Sequence, residues 1–355
     1  MTVPFLIFLS SGLFLGWTLG ANDAANVFGT AVGSRMVQFR TAAVLCGLFV
    51  LVGAVVSGGG ASHGLGQLGA VNALGGSFTV ALAAAITVYG MTVAGLPVST
   101  TQAVVGAIVG WNLFSATATD LAALTKIAGT WVASPILGAL FALILYHAIR
   151  LAVRVFKPHV LQLDQMLRAG FIVAGAAGAY SLGANNIANV VGVFVPSSPL
   201  QTVSFGPLIL SPEQRLFLMG GVAIAIGAMF SRPVMMTVGR SLMPLNPVGG
   251  LVVVMAQALV LFIFSSRALQ GLLIQIGLPP LPLVPVSSSQ AVVGAVVGVS
   301  LAHGFRGLRQ VQWSVLRNIA VGWVLTPTIA ALISYVALYI VQNVFEQEVF
   351  RVVGA

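Results

Sequence analysis

Leu19-Gly20-Ala21-Asn22-Asp23-Ala24-Ala25-Asn26-Val27 returns later in the chain as Leu182-Gly183-Ala184-Asn185-Asn186-Ile187-Ala188-Asn189-Val190. Both copies follow the pattern G-A-N-[DN]-x-A-N and set polar groups into apolar surroundings. A longer pair follows: Pro97-Val98-Ser99-Thr100-Thr101-Gln102-Ala103-Val104-Val105-Gly106-Ala107-Ile108-Val109-Gly110 recurs as Pro285-Val286-Ser287-Ser288-Ser289-Gln290-Ala291-Val292-Val293-Gly294-Ala295-Val296-Val297-Gly298. Trp131 with Pro135 is then echoed by Trp323 with Pro327. Three landmarks repeated in the same order divide the chain into two copies of one unit. The first repeat is expected over 1–155 and the second over 166–345, with a basic linker at 156–165 and a C-terminal tail at 346–355.

The solvent around these repeats follows from composition. Of 355 residues, 58% are hydrophobic and 6% charged, with mean hydropathy +1.06; soluble domains carry about 25% charged residues. Apolar runs of about twenty residues recur throughout, which places the chain in a bilayer as α-helices, since lipid leaves open strand edges unsatisfied. The expected fold is an all-α polytopic membrane protein. A formal charge of +9 would elsewhere suggest a nucleic-acid partner, but the Arg and Lys residues sit singly or in small groups between apolar runs, as orientation signals do. No nucleic acid is expected. The single cysteine, Cys46, lies in an apolar run and excludes an intramolecular disulfide.

Arg150, Arg154, Lys157, His159, Asp164 and Arg168 form the longest polar stretch and read as a short cytoplasmic linker. Arg35 and Arg40 follow the first asparagine motif, whereas the matching stretch from Pro196 to Pro212 carries no charge. That asymmetry predicts halves of inverted topology, the plan of secondary transporters. Spans are expected near 3–19, 41–57, 72–94, 121–150, 166–183, 214–231, 248–266 and 313–342. The repeated motifs then form interrupted or re-entrant hairpin segments between them, giving roughly ten to twelve helical segments.

Within a bilayer a polar cluster persists only when buried in protein or lining a wet cavity. Residues four apart share a helix face, so Asn22 with Asn26, and Asn185 with Asn189, would present amide oxygens to one point. Oxygen ligands suit a hard cation such as Na+. Asp23 is flanked on both sides by apolar sequence, unlike Asp120, Asp164, Glu213, Glu346 and Glu348. The cation set expected from this motif is Asn22, Asp23, Asn26, Asn185, Asn186 and Asn189, with Na+ itself on Asp23, Asn26 and Asn189. The alternative is that these amides only bond neighbouring helices or cap a break beside Gly20 and Gly183.

The second motif has proline, then hydroxyls and a glutamine, then a small apolar helical stretch. Ser or Thr before a helix takes up free backbone N–H groups, and a half-helix starting inside the membrane aims its positive dipole end at an anion. Ser99, Thr100, Thr101 and Gln102 are therefore expected to meet Ser287, Ser288, Ser289 and Gln290 around one anionic substrate. Gly106 with Gly110, and Gly294 with Gly298, carry the spacing that lets a returning hairpin arm pack closely. No Arg or Lys lies in either pair of motifs, so an anion there needs helix N-termini, hydroxyls and co-bound cations; a dianion with Na+ meets that need, and a cation channel does not. An intramembrane enzyme is not expected: Asp23 has no acidic partner in a span, and His63, His147, His159 and His303 are scattered near loops or span ends. Trp17, Trp111, Trp131, Trp313 and Trp323 read as interface anchors or packing residues.

At these residues the sequence resembles the inorganic phosphate transporter (PiT) family, whose signature is G-A-N-D-x-A-N in both halves. The likeness spans Gly20 to Arg35, the Pro97 and Pro285 blocks, and Thr237-Val238-Gly239 through Pro247-Val248-Gly249-Gly250. It implies a cation-coupled phosphate symporter in a cell membrane, inverted repeats, helical hairpins, a homodimer, and an elevator-like movement. It implies no cofactor beyond co-transported Na+. Asn186 stands where many relatives have a second aspartate, Gln102 and Gln290 where many have histidine, and Gln257 where many have glutamate. Losing these titratable groups favours Na+ over H+ coupling. Sulfate, or another tetrahedral oxyanion, is the alternative substrate.

Overall fold

The computed structural model describes residues 3–69, 71–93, 98–206, 208–241 and 245–351, with the backbone alone at 205, 208, 237–241, 305 and 306. Pro97 and the side chains of Thr237 and Val238 thus lie outside the described residues. The first repeat forms α1 (Val3–Gly33), α2 (Phe39–Ser57), α3 (Gly59–Gly66), α4 (Leu74–Val93), α5 (Thr100–Phe114) and α6 (Leu121–Phe156). The second forms α7 (Val160–Val191), α8 (Pro212–Ala228), α9 (Arg232–Ser241), α10 (Pro247–Ser265), α11 (Arg267–Gln275), α12 (Ser288–Ala302), α13 (Phe305–Leu308) and α14 (Trp313–Asn343). The uncharged connection before α8 holds a small antiparallel hairpin, β1 (Val203–Phe205) with β2 (Leu208–Leu210).

Among the described residues, seven helical segments are long and apolar enough to cross a membrane, as expected of an integral multi-pass protein; α8, on the eighth span expected near 214–231, is 17 residues long and is not one of them. Helix ends are set by side chains. Asp120 accepts from the Ala122 and Ala123 amides at 2.8 and 3.0 Å to start α6, and Ser211 with Gln214 forms a reciprocal cap on α8 just ahead of Glu213. Asn246 caps α10, with Pro247 in its first turn. Only 157–159 lie outside helix between α6 and α7, so the polar stretch expected as linker is divided: Arg150 and Arg154 end α6, and Asp164 pairs with Arg168 at 2.7 Å in the first turns of α7. Arg168 also donates to the Met36 carbonyl at 3.0 Å, which puts the α1–α2 turn on the same face as the linker.

The asparagine motifs do not interrupt their helices. α1 and α7 run unbroken through Gly20 and Gly183, because these glycines serve packing rather than a break. A methyl at Gly20 would strike the Ile224 carbonyl of α8, and one at Gly183 the Val50 carbonyl of α2. α1 thus seats on α8 and α7 on α2, backbone against backbone across the two halves. We expect Gly183→Leu to cost about 3 kcal/mol or more, beyond ordinary overpacking because the obstacle is backbone. Size-exclusion chromatography in detergent should show loss of the monodisperse protein, while Gly129→Leu, where an added Cβ meets nothing within 4 Å, should behave as wild type.

The second motifs, by contrast, start half-helices in the interior. α5 and α12 are 15 residues each, about 22 Å long, which is short of the bilayer's roughly 30 Å, and their caps Ser99 and Ser287 are buried. Their close-packing glycines meet the long helix of the opposite half instead of their own hairpin arm. Gly106 and Gly110 abut Pro327 and Ala331 of α14, and Gly294 and Gly298 abut Pro135 and Ala139 of α6. Each half-helix is cradled by the other repeat, at the helix turn where Pro135 or Pro327 stands. The outer faces of α6 and α14 carry exposed apolar side chains such as Ile136, Ile144, Val324 and Val336, consistent with lipid.

Candidate functional site

Four helices converge where the two kinds of motif meet. Ser99 and Ser287 each accept from the backbone N–H three residues on, both at 3.3 Å. This local capping fixes the direction in which the remaining N–H groups of α5 and α12 point. The two starts are locked to each other by a reciprocal pair: Thr101 donates to the Val286 carbonyl at 3.3 Å, and Ser289 to the Val98 carbonyl at 3.2 Å. Thr101 and Ser289 occupy matching places in the repeat, so the pair obeys a pseudo-two-fold relation. Two helix N-termini, each carrying about half a positive charge, therefore face one another.

The asparagine motifs supply the opposite charge alongside. Asn186 Nδ2 donates to Asp23 Oδ2 at 3.2 Å, joining the matching positions of the two repeats. Ser288 also hydrogen-bonds the Asp23 carboxylate and accepts from Asn26 Nδ2 at 3.0 Å. Asn189 Nδ2 reaches Thr101 Oγ1 at 2.9 Å and Asn186 Oδ1 at 3.4 Å. One network thus joins Asp23, Asn26, Asn186, Asn189, Thr101 and Ser288. Asp23 is 3% exposed, and among the described residues it is the buried carboxylate.

Unmet hydrogen-bonding capacity gathers around the same residues. Thr100 Oγ1, Gln102 Oε1, Gln290 Oε1 and Asn189 Oδ1 are buried and have no partner within the protein. A buried orphan costs about 1–3 kcal/mol, so four on the residues that build one junction mark a place shaped for something other than protein. Oxygens beside a carboxylate suit a hard cation, and helix N-termini with hydroxyls suit an oxyanion.

Asn22 and Asn185 behave differently from their helical neighbours four residues on. Asn22 Nδ2 donates to Thr92 Oγ1 at 2.8 Å. Asn185 accepts from the Val286 amide at 2.9 Å and donates to the Val284 carbonyl at 3.4 Å, bracing the extended segment that leads into α12. Sequence reasoning missed Thr92, which no pattern distinguishes, and left Gln257 of α10 outside the site. Gln257 is fully buried with both amide atoms unpartnered; a lone amide in the apolar run of α10 was the signal for it.

Comparison with known proteins fits this arrangement. The Phosphate transporter family matches residues 19–334, from the first asparagine motif to the middle of α14. The chain belongs to that family. Members of the phosphate transporter family are carriers, so the chain is a transporter and not an enzyme. A protein named as a phosphate permease in Thermococcus kodakarensis is 26% identical, over 93% of this chain and 95% of its own length. Inorganic phosphate transporter 2-1 of Arabidopsis thaliana, a chloroplastic protein, is 25% identical over 93% of this chain and 70% of its own. The solved structure of a sodium-dependent phosphate transporter superposes with a TM-score of 0.73 at 23% identity, covering 96% of this chain and 99% of that one. This places the present phosphate transporter family member in the same fold.

Proposed function

We propose that this transporter carries inorganic phosphate by Na+-coupled symport, with phosphate held between Ser99–Gln102 and 287–290, and Na+ held at Asp23, Asn26 and Asn189. The observation that carries the reading is the meeting of two capped helix N-termini, cross-tied through Thr101 and Ser289, against the buried Asp23. A dianion there is favoured by two dipole ends and by donors, yet no basic side chain takes part in the network; a cation on Asp23 supplies the missing positive charge. The Na+ dependence named for the structural relative agrees with this division of labour.

Repeats over 1–155 and 166–345, joined at 156–165, provide the movement in this proposal. Backbone-tight packing binds α1 to α8 and α2 to α7, and a second tight set binds α5 to α14 and α6 to α12. The ion network lies where the two sets meet, so an elevator-like slide of one past the other would expose it alternately. A homodimer in the cell membrane, with the linker cytoplasmic, completes the reading on the family resemblance.

Uptake of labelled phosphate into proteoliposomes tests it, with an inward Na+ gradient, with an inward H+ gradient, and with sulfate as competitor. Na+-driven uptake resistant to sulfate is expected. Uptake driven by H+ alone, or sulfate displacing phosphate at equal concentration, would replace the cation or the substrate in this account.

Asn186 sharpens the cation assignment. It faces Asp23 across the repeat junction, so Asn186→Asp sets two carboxylates on one cation. We expect the Na+ concentration for half-maximal uptake to fall by on the order of tenfold, since ligand charge strongly tunes hard-cation sites. Unchanged Na+ and phosphate curves in well-folded Asn186→Asp protein would remove Asn186 from the site.

A further inference from the structure

The two repeats differ most between the last long helix before the half-helix and the half-helix itself. In the first repeat, six residues separate α4 from α5 (94–99); in the second, α11 and an extended segment fill 266–287 between α10 and α12. This insertion borders three adjoining cavities, of about 730, 280 and 240 Å³, and Arg267 lines all three. The largest also takes in His63 of α3, Gln67 just beyond it, Gln270 of α11 and Lys126 of α6, and no carboxylate lines it; Glu213 borders the 280 Å³ cavity.

Arg267 is held in place while keeping most of its donors. Its Nη2 donates to the Gly59 carbonyl at 2.6 Å, one of five N–H groups on a guanidinium. Among the described residues the salt bridges are those of Asp164 with Arg168 and Glu348 with Arg351, so neither Arg267 nor Lys126 is neutralised by a carboxylate. The wall of the 730 Å³ cavity includes Val284, whose carbonyl accepts from Asn185 of the second asparagine motif. The cavity therefore backs directly onto the segment that enters α12. Lys126 stands near the start of α6 and Arg154 near its end, so the cavity lies on the opposite face from the linker, which the proposed topology makes the outer face.

We propose that the insertion builds an outer anion vestibule, in which Arg267 and Lys126, with His63, Gln67 and Gln270 as further donors, capture a tetrahedral dianion before it passes to the helix N-termini. This rests on the phosphate reading for its substrate. The inner site has no basic side chain, and a basic cleft with low-dielectric walls raises the local concentration of an anion and its rate of capture. Attraction and binding are thereby separated in space, with side-chain cations attracting the anion at the vestibule and backbone N–H groups with hydroxyls binding it further in.

The test is phosphate uptake by proteoliposomes of wild type, Lys126→Gln, Arg267→Gln, the double variant and Arg267→Lys, against phosphate concentration at low and high ionic strength. We expect KM to rise about three- to tenfold in the double variant at low salt, with kcat unchanged and with the wild type's loss of affinity on adding salt largely abolished. Arg267→Lys should restore most of the loss. Lys126 makes no side-chain hydrogen bond among those described, so Lys126→Gln remains informative if Arg267→Gln is poorly folded. Wild-type KM and salt dependence in the folded variants would overturn the vestibule.

A lipid phosphate would use the same chemistry, so the series is repeated with and without anionic phospholipid. An effect confined to liposomes containing anionic lipid would assign the cleft to a headgroup and overturn the proposal. If wild type carries sulfate and not phosphate, the phosphate reading fails, and the same KM shift read on sulfate still supports the vestibule. Transport of neither anion overturns both.

Discussion

Asp23→Asn is expected to abolish Na+-driven phosphate uptake while leaving the protein folded. The substitution keeps shape and keeps an oxygen for the Asn186 amide, which reaches Asp23 at 3.2 Å. What it removes is the charge. Unit charges about 4 Å apart interact by about 4 kcal/mol at an effective dielectric near 20, so even a heavily discounted loss leaves Na+ binding weaker by about 100-fold or more. Uptake at saturating Na+ should fall to background, and raising Na+ further should recover only part of it. The measurement is the Na+ dependence of uptake in proteoliposomes, with detergent stability as the folding control. An unchanged Na+ curve in monodisperse Asp23→Asn protein would remove the carboxylate from the coupling site.

The second large effect is expected from Thr101→Val combined with Ser289→Ala. These hydroxyls cross-tie the two half-helix starts through the Val286 and Val98 carbonyls, and Thr101 also accepts from Asn189. Each hydroxyl spends its single proton on a carbonyl, so the variant removes the tie that holds both helix starts on one anion; at about 0.5–1.5 kcal/mol per bond the double variant should raise KM for phosphate by about tenfold, with each single variant near threefold. A stability defect alone would lower the amount of active protein and leave KM in place. Ser334→Ala supplies the contrast: it removes a buried bond from α14 to the Ala107 carbonyl of α5, away from the helix start, at 2.9 Å. Its KM should stay at the wild-type value; a rise matching that of Thr101→Val would show that half-helix packing, and not the hydroxyls, sets affinity.

How far these residues were legible in sequence depended on repetition. The hydroxyl blocks read as half-helix starts because capping is local: Ser99 and Ser287 need only the N–H three residues ahead. Asp23 stood out because its flanks are apolar, and burial follows from that. The partners did not read out. Gly20 and Gly183 are compatible both with a helix break and with close packing, and only the carbonyls of Ile224 and Val50 opposite them decide between the two. The same holds for Gly106 and Gly294, whose spacing announces a close neighbour without saying that it belongs to the other repeat. Asn185 and Asn189 share a helix face, yet one amide braces Val284 and Val286 while the other reaches Thr101; one turn of helix separates a strut from the ion network. The tail is a further case. Val349 is buried, and its carbonyl accepts from Trp111 Nε1 at 2.9 Å, a docking that a short polar C-terminal stretch does not advertise.

In the proposed site one anion is shared by two helix N-termini from opposite repeats, next to a cation on Asp23. A structure determined in phosphate and Na+ tests it most directly. The expected result is a tetrahedral density between Ser99–Gln102 and 287–290, contacted by both helix starts, with a separate spherical density within coordination distance of Asp23. Phosphate bound to one helix start alone, or bound away from both with Asp23 uncoordinated, would contradict it.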